Sequence, residues 1–250
     1  MRDEAILRSL CECAGLIEEA LTALEEWSSP GKRPTQHACD VVADEVASRF
    51  LIGAGFGVIS EERRPARTDR SVVVVVDPID GTRNAIRGIT PYGPSLCAFV
   101  DGVPRVAHVR ELSTGESFDA IRGAGASVNG VMAHASAQTS LDGSLIAVSG
   151  GPVPRLLGAR VRMDAAAFAL CAVGSGRADG FLDLDDDHHR CWDYAGGMLI
   201  CQEAGAAVCD AQHRPLWPPD ACTGRTPLAA ATPELLDELV ALRSEAATRR

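Results

Sequence analysis

Asp77 and Asp80 stand three residues apart in Asp77-Pro78-Ile79-Asp80-Gly81-Thr82, directly after an unbroken β-branched run at 72–76. A run of that kind reads as a strand buried on both faces, and its carboxyl end is where α/β proteins build sites. Pro78 fixes φ and stiffens the turn. Gly81 permits a backbone angle or a close approach that a side chain forbids. A rigid turn with two carboxylates suits a hard cation, and the Ile79 carbonyl between them is a further oxygen donor. Thr82 puts a hydroxyl where a helix can start, and free N–H groups there attract a phosphate oxygen. Taken alone, the same residues also read as an exposed Asp-Pro turn with an N-cap.

Two other carboxylate positions call for the same question. Glu61-Glu62 follow a short apolar strand at 56–59. Two unit charges 4 Å apart repel by about 4 kcal/mol at an effective dielectric of 20, so something must hold adjacent carboxylates, or water must separate them. Trp192-Asp193 precede Ala195-Gly196-Gly197, small residues that let a helix pack closely. Asp193 fits the N-cap of that helix, accepting its first free N–H groups. In isolation these read as a solvated surface pair and a cap.

The elements that would position these groups follow from periodicity. Residues 3–27 predict an amphipathic helix, with Ile6, Leu10, Cys13, Ile17, Leu21 and Leu24 on one stripe. The polar segment 31–37 is a loop, and 38–52 predicts a second helix. Strands at 95–100 and 103–109 join at Asp101-Gly102, a hairpin signal. A strand near 116–120 and a Gly-rich turn follow. The second half alternates: strand 144–148, helix 164–174, strand 180–184, helix 194–204, strand 206–209, helix 233–246. Such alternation predicts an α/β layered sandwich. The loop 150–160 is the expected seam. It divides an N-terminal α+β subdomain (1–150), carrying most of the candidate ligands, from a C-terminal α/β subdomain (151–250) that supplies Asp193.

Composition narrows the classes. The 250-residue chain carries a formal charge of −10, which argues against a nucleic-acid backbone or an anionic membrane as main partner. No apolar run approaches the roughly 18 to 20 residues of a membrane helix. The 9 cysteines are an odd number, without a CxxC pair, and the start has no secretion signal. Reduced thiols in a cytoplasm are expected. The run 185–189 with Cys191 raises a zinc site, but its spacing is too tight for a tetrahedral one and reads as a solvated loop.

Together, Ser60-Glu61-Glu62, Asp77-Pro78-Ile79-Asp80-Gly81-Thr82 and Trp192-Asp193-Tyr194-Ala195-Gly196-Gly197 resemble the inositol monophosphatase family in order and separation. The resemblance extends to 122–126, Asn129-Gly130, 176–180 and Glu203-Ala204-Gly205. It implies a layered αβαβα sandwich of the inositol monophosphatase and fructose-1,6-bisphosphatase type, commonly a homodimer. It also implies two or three Mg²⁺ ions. Glu61, Asp77 and the Ile79 carbonyl would hold the first, and Asp77, Asp80 and Asp193 the second. Glu62 marks the corner of a looser third. Catalytic roles would fall to Glu61, Asp77 and Thr82, through in-line attack of activated water with no phosphoenzyme. Gly81 and Thr82 would cradle the phosphate, and Ala165 and Asp183 would meet the substrate.

The chain departs from that pattern in two places. The family's Asp/Thr-x-Val-Thr-x-x-Asp stretch, whose first residue is expected to help the threonine activate water, has Pro34 first, His37 on the Thr and Asp40 last. Thr35 is the expected stand-in. The family's Gly-Ser/Thr-Ala-Ala turn reads Asp164-Ala165-Ala166-Ala167, which alters the alcohol that fits. The expected activity is hydrolysis of a small polyol, cyclitol or sugar phosphate, sensitive to lithium. Alternatives are a nucleotide 3′-phosphate, a fructose bisphosphate, histidinol phosphate or a secondary-metabolite phosphate. The non-enzymatic alternative is a catalytically weak, metal-binding assembly protein.

Overall fold

The valine run needs neighbours on both sides, and it finds them at the centre of an eight-stranded sheet. The computed structural model describes residues 2–31, 36–154, 157–217 and 223–248. The first sheet contains β1 (Gly57–Ser60), β2 (Arg63–Ala66), β3 (Val72–Asp80), β4 (Gly93–Val100), β5 (Val103–Arg110), β6 (Ser117–Ile121), β7 (Gly125–Val128) and β8 (Val131–Ala133). Their order is β2-β1-β3-β4-β5-β6-β7-β8. β1 runs parallel to β3 and the remaining pairs are antiparallel. The second sheet holds β9 (Leu145–Ser149), β10 (Ala159–Arg162), β11 (Gly180–Asp183), β12 (Ala207–Asp210) and β13 (Pro227–Ala230), in the order β10-β9-β11-β13-β12.

Six helices complete the described residues: α1 (Asp3–Thr22), α2 (Ala38–Gly53), α3 (Thr82–Ala85), α4 (Ala166–Gly174), α5 (Cys191–Glu203) and α6 (Pro233–Thr248). The apolar stripe expected on α1 is the one it buries: Ile6, Leu10, Cys13, Ile17 and Leu21 pack with α2 against Val74, Val76, Leu96 and Val106. The opposite face of the same sheet, at Val75, Cys97, Ala107 and Val109, meets α4 and α5. These helices lie in turn on Ala147, Phe181 and Ala229 of the second sheet. α6 covers the far side, where Leu235 and Leu239 meet Ile146, Leu182 and Leu228. The layers therefore run α-β-α-β-α, the order that the family resemblance implies.

Small residues let the middle layer sit close. A Cβ on Gly197 of α5 would lie 2.6 Å from Leu170 Cβ and 2.8 Å from the Ala167 carbonyl of α4. The chain crosses between sheets from β8 to β9, upstream of the expected seam at 150–160. Asp179 pins this crossing, accepting the Ser136 hydroxyl at 2.5 Å and the Leu145 N–H at 2.7 Å. Glu203 at the end of α5 accepts the N–H groups of Gly123 and Gly125 at 2.8 and 3.1 Å, tying the Gly-rich turn to the middle layer.

The sequence reading ends the strand at Val76, whereas β3 continues through the acidic residues to Asp80. The pairing shows why both carboxylates still serve one site. Asp77 lies opposite Ser95 and Asp80 opposite Gly93, so three steps on one strand match two on its neighbour. That is a bulge, placed where Pro78 has no N–H to donate. In a regular strand, positions three apart face opposite sides. The extra residue corrects the parity.

Candidate metal centre

Three stretches of chain bring four carboxylates together. Glu61 leaves the end of β1, its N–H still paired to the Val76 carbonyl at 3.2 Å. Buried Asp44 of α2 braces this corner by accepting the Ser60 hydroxyl at 2.6 Å and pairing with Arg63. Asp77 of β3 is 2% exposed, and its Oδ1 accepts the Ile79 N–H at 3.0 Å. Asp193 comes from α5. One oxygen each of Glu61, Asp77 and Asp193 lies within 4.8 Å of the other two. Asp80 is buried beside them, with Oδ2 accepting the Ala167 N–H at 2.8 Å at the start of α4.

Two expectations about α5 are corrected. The helix begins at Cys191 rather than 194, and Asp193 sits at its third position rather than at the cap. From there Asp193 Oδ2 reaches back to the Arg190 N–H at 2.5 Å. This is the acidic half of a capping box, which fixes the side chain at the helix mouth.

The electrostatics describe a site that wants positive charge. Burial first, then the charges of Glu61, Asp80 and Asp193, hold the Asp77 carboxyl well above the usual carboxylate range. Burial and Asp193 push Asp80 up to about 7, against the helix-mouth N–H groups of Ala167 and Phe168 that pull it down. Glu61 is an exposed residue at the rim, yet its carboxyl is walled in by protein. Loss of water, then the charges of Asp193 and Glu62, push it up to about 8. Oxygen-only donors at this density are what a hard divalent cation takes. The residues present fit such an ion.

The structure gives Thr82 a carboxylate neighbour at another position of that polar stretch. Thr82 Oγ1 lies 2.9 Å from Asp40 Oδ1 and 2.9 Å from the Ile79 carbonyl, so the hydroxyl has the last Asp of the polar stretch and a backbone oxygen as acceptors. The first position, Pro34, and the stand-in Thr35 lie outside the described residues. Asp40 reaches Thr82 because it sits in the first turn of α2, where its Oδ2 accepts the His37 N–H at 2.8 Å. Burial raises the Asp40 carboxyl in spite of these hydrogen bonds. The signal was present in the sequence as the one matched Asp of that stretch, next to a helix start.

The remaining sequence-predicted residues divide. Gly81 has φ +80° and caps α3, and a Cβ there would lie 2.9 Å from the Pro91 carbonyl and 3.2 Å from Ala165 Cβ. Gly81 and Ala165 are thus neighbours at the mouth. Glu62 accepts a hydrogen bond from Gln36 and falls outside the tight trio. Asp183 is fully buried, with its Oδ2 3.5 Å from His189 Nε2. His189 in turn sets Nδ1 3.7 Å from Asp193 Oδ2, so an imidazole stands between the expected hydroxyl ligand and the carboxylate cluster. The sequence reading did not single out His189 for this position.

The acidic run read as a solvated loop pairs two of its carboxylates with arginines. Asp187 pairs with Arg214 at 2.5 Å and Asp186 with Arg243 at 2.6 Å. Both arginines come from elements remote in sequence, which no local spacing reveals. The run is a solvated loop, as expected, with the Asp186 and Asp187 side chains 69% and 51% exposed and held by these pairs.

The comparisons agree with this geometry. A sequence profile described as the inositol monophosphatase family matches residues 35–248. The Nus factor SuhB of Haemophilus influenzae is 35% identical over 158 residues, which are 57% of this chain and 58% of that protein. The match thus spans less than two thirds of that relative's length. A hypothetical protein from Pyrococcus horikoshii, PH1897, with similarities to inositol-1 monophosphatase, superposes with a TM-score of 0.88 at 22% identity, covering 96% of this chain and 98% of its own. The MJ0109 gene product, described as an inositol monophosphatase–fructose 1,6-bisphosphatase, gives 0.79 at 24% identity, covering 97% and 100%. The sandwich is accordingly of the inositol monophosphatase and fructose-1,6-bisphosphatase type, and with the profile running through every carboxylate of the cluster, the chain belongs to the inositol monophosphatase family.

Proposed function

We propose that this protein is a Mg²⁺-dependent phosphomonoesterase that hydrolyses a small polyol, cyclitol or sugar phosphate. The observation that carries the reading is the convergence of Glu61, Asp77 and Asp193 within 4.8 Å, beside buried Asp80 and the Thr82–Asp40 pair. Glu61, Asp77, Asp80, Asp193 and the Ile79 carbonyl would hold magnesium, with Glu62 at the edge for a looser ion. Bound magnesium supplies Lewis acidity and neutralises charge on the phosphate.

The chain's own groups account for the rest. The Thr82 hydroxyl donates to Asp40, which turns its remaining lone pair outward to accept a hydrogen bond from the attacking water. A proton leaving that water passes to Thr82 Oγ1 as the Thr82 proton moves to Asp40 Oδ1. Asp40 is suited to receive it because burial has already raised its proton affinity. The N–H groups of Gly81 and Thr82 are assigned to the phosphate oxygens, in a turn too tight for a side chain at 81. Asp80 ties β3 to the start of α4 and so sets the Asp164–Ala167 turn at the rim. Small side chains at 165–167 leave room for the leaving alcohol. The 8 described cysteines are free, which suits a reducing cytoplasm, and a homodimer is the expected assembly.

The name of the SuhB relatives, Nus factor, favours a second reading in which the fold serves assembly rather than turnover. One assay separates them: phosphate release from inositol 1-phosphate, fructose 1,6-bisphosphate, adenosine 3′,5′-bisphosphate, histidinol phosphate and sugar phosphates, with Mg²⁺, with EDTA and with added lithium. Magnesium-dependent release that disappears in folded Asp193→Asn supports the phosphatase. No release from any ester by folded, metal-binding protein supports assembly.

A further inference from the structure

On the far side of the first sheet from the carboxylate cluster, three metal-ligating side chains of different kinds meet. Cys11 projects from the exposed part of α1, His108 from β5 and Asp119 from β6. Cys11 Sγ lies 3.5 Å from His108 Nδ1, and the same nitrogen lies 2.7 Å from Asp119 Oδ1. All three donor atoms fall within 4.8 Å of one another. His108 is 2% exposed and the Asp119 side chain 17%, whereas Cys11 is the exposed cysteine among the described residues.

We propose that these residues form a second, transition-metal site, taking a borderline-soft divalent ion such as Zn²⁺ rather than Mg²⁺. A purely hydrogen-bonded clamp leaves this arrangement short. Nδ1 carries at most one proton, yet both a thiol and a carboxylate are aimed at it. A metal ion satisfies all three donors at once, as thiolate, neutral imidazole and carboxylate.

The distances suit such an ion. With Zn–S about 2.3 Å and Zn–N about 2.0 Å, the S···N edge of a regular tetrahedron is about 3.5 Å, which is the separation observed. The N···O edge is about 3.3 Å in the same geometry, so Asp119 must withdraw by about half an ångström when its hydrogen bond is replaced by a metal bond. Its partial exposure leaves it free to do so. Three protein ligands and an open side toward solvent leave a fourth position for water.

The donor set also discriminates. Sulfur and imidazole favour zinc, cobalt or copper, whereas the all-oxygen cluster at Asp77 favours magnesium. The two sites therefore take different ions from a mixture. The placement gives the second site a consequence for the fold. α1 is tied to β5 at either end by Asp3–Arg105 and Glu18–Arg110, at 2.9 and 2.7 Å. The cysteine lies between these pairs, so a bound ion would clip the middle of the helix to two strands.

Cobalt(II) is the probe, because a thiolate ligand gives it a near-ultraviolet charge-transfer band that carboxylates do not. Metal-stripped protein titrated with Co²⁺ is expected to develop this band to one equivalent and to lose it on addition of Zn²⁺. Cys11→Ser, a change at an exposed position, should abolish the band with the fold intact by circular dichroism. Asp193→Asn, in the other cluster, should leave it at full strength. No band at excess Co²⁺, an undiminished band in Cys11→Ser, or its loss in Asp193→Asn would each overturn the proposal.

Discussion

At Thr82 a single hydroxyl connects the carboxylate of α2 with the end of β3. Removing it while keeping the shape, as Thr82→Val does, should lower kcat by about 10²–10³-fold, the usual range for a positioned proton-transfer group. Magnesium affinity should change little, since Thr82 is not among the assigned ligands. Asp40→Asn keeps an acceptor for the hydroxyl but removes the base, so it should fall in the same range. The double variant should be little worse than either single one, because the two groups act as a unit. Steady-state rates and magnesium titrations of the three proteins check this, and fully additive losses would separate the two residues. The pair shows how legibility fails at this scale. The four clustered carboxylates could be picked out because each sits in a contiguous motif. Thr82's neighbour Asp40 lies 42 positions away, and its reach depends on where α2 begins. His189 escaped notice for a similar reason, since its meaning comes from Asp183 and Asp193 on two elements.

Elements with a strong period were legible, and those defined by their neighbours were not. The stripe of α1, the valine run and the hairpin at Asp101-Gly102 all announce themselves by spacing. β7, β8 and β10 are 4, 3 and 4 residues long, and β10 is exposed throughout, so no alternation marks it. The bulge in β3 was hidden because its signature is a register against β4, not a residue type. The middle layer gives a test at this scale. α4 presents its first turn to Asp80 and α5 presents Asp193, so the separation of these helices sets part of the proposed metal centre. Gly197→Ala would force a Cβ to within 2.6 Å of Leu170 Cβ, and something must shift. Overpacking of this kind costs about 1–3 kcal/mol. The expected outcome is a lower thermal midpoint together with weaker magnesium binding. Loss of stability with unaltered metal affinity would show that the helices relax away from the site rather than through it.

For the whole molecule, the carboxylate cluster is a liability that the proposed metal would convert into a cross-link between layers. Glu61 and Asp77 belong to the first sheet and Asp193 to the helical layer beneath it. Without metal, the fold raises the carboxyls of Glu61 to about 8 and Asp80 to about 7, and holds that of Asp77 well above its ordinary value. In the unfolded chain these groups titrate near 4. Between roughly pH 4 and pH 8 the native state therefore binds more protons than the unfolded one. Stability then falls as pH rises through that window, the reverse of the usual salt-bridged carboxylate. Magnesium requires the ionised ligands, so its apparent affinity rises over the same window and its stabilisation grows with the ratio of free ion to Kd. Thermal midpoints measured from pH 5 to pH 9 should decline in EDTA and hold or rise in millimolar magnesium, the two curves diverging most near pH 8. A metal-free midpoint that stayed level or climbed from pH 5 to pH 8 would mean that the carboxylates are already compensated within the protein, and the case for a cation at their centre would lose its electrostatic basis.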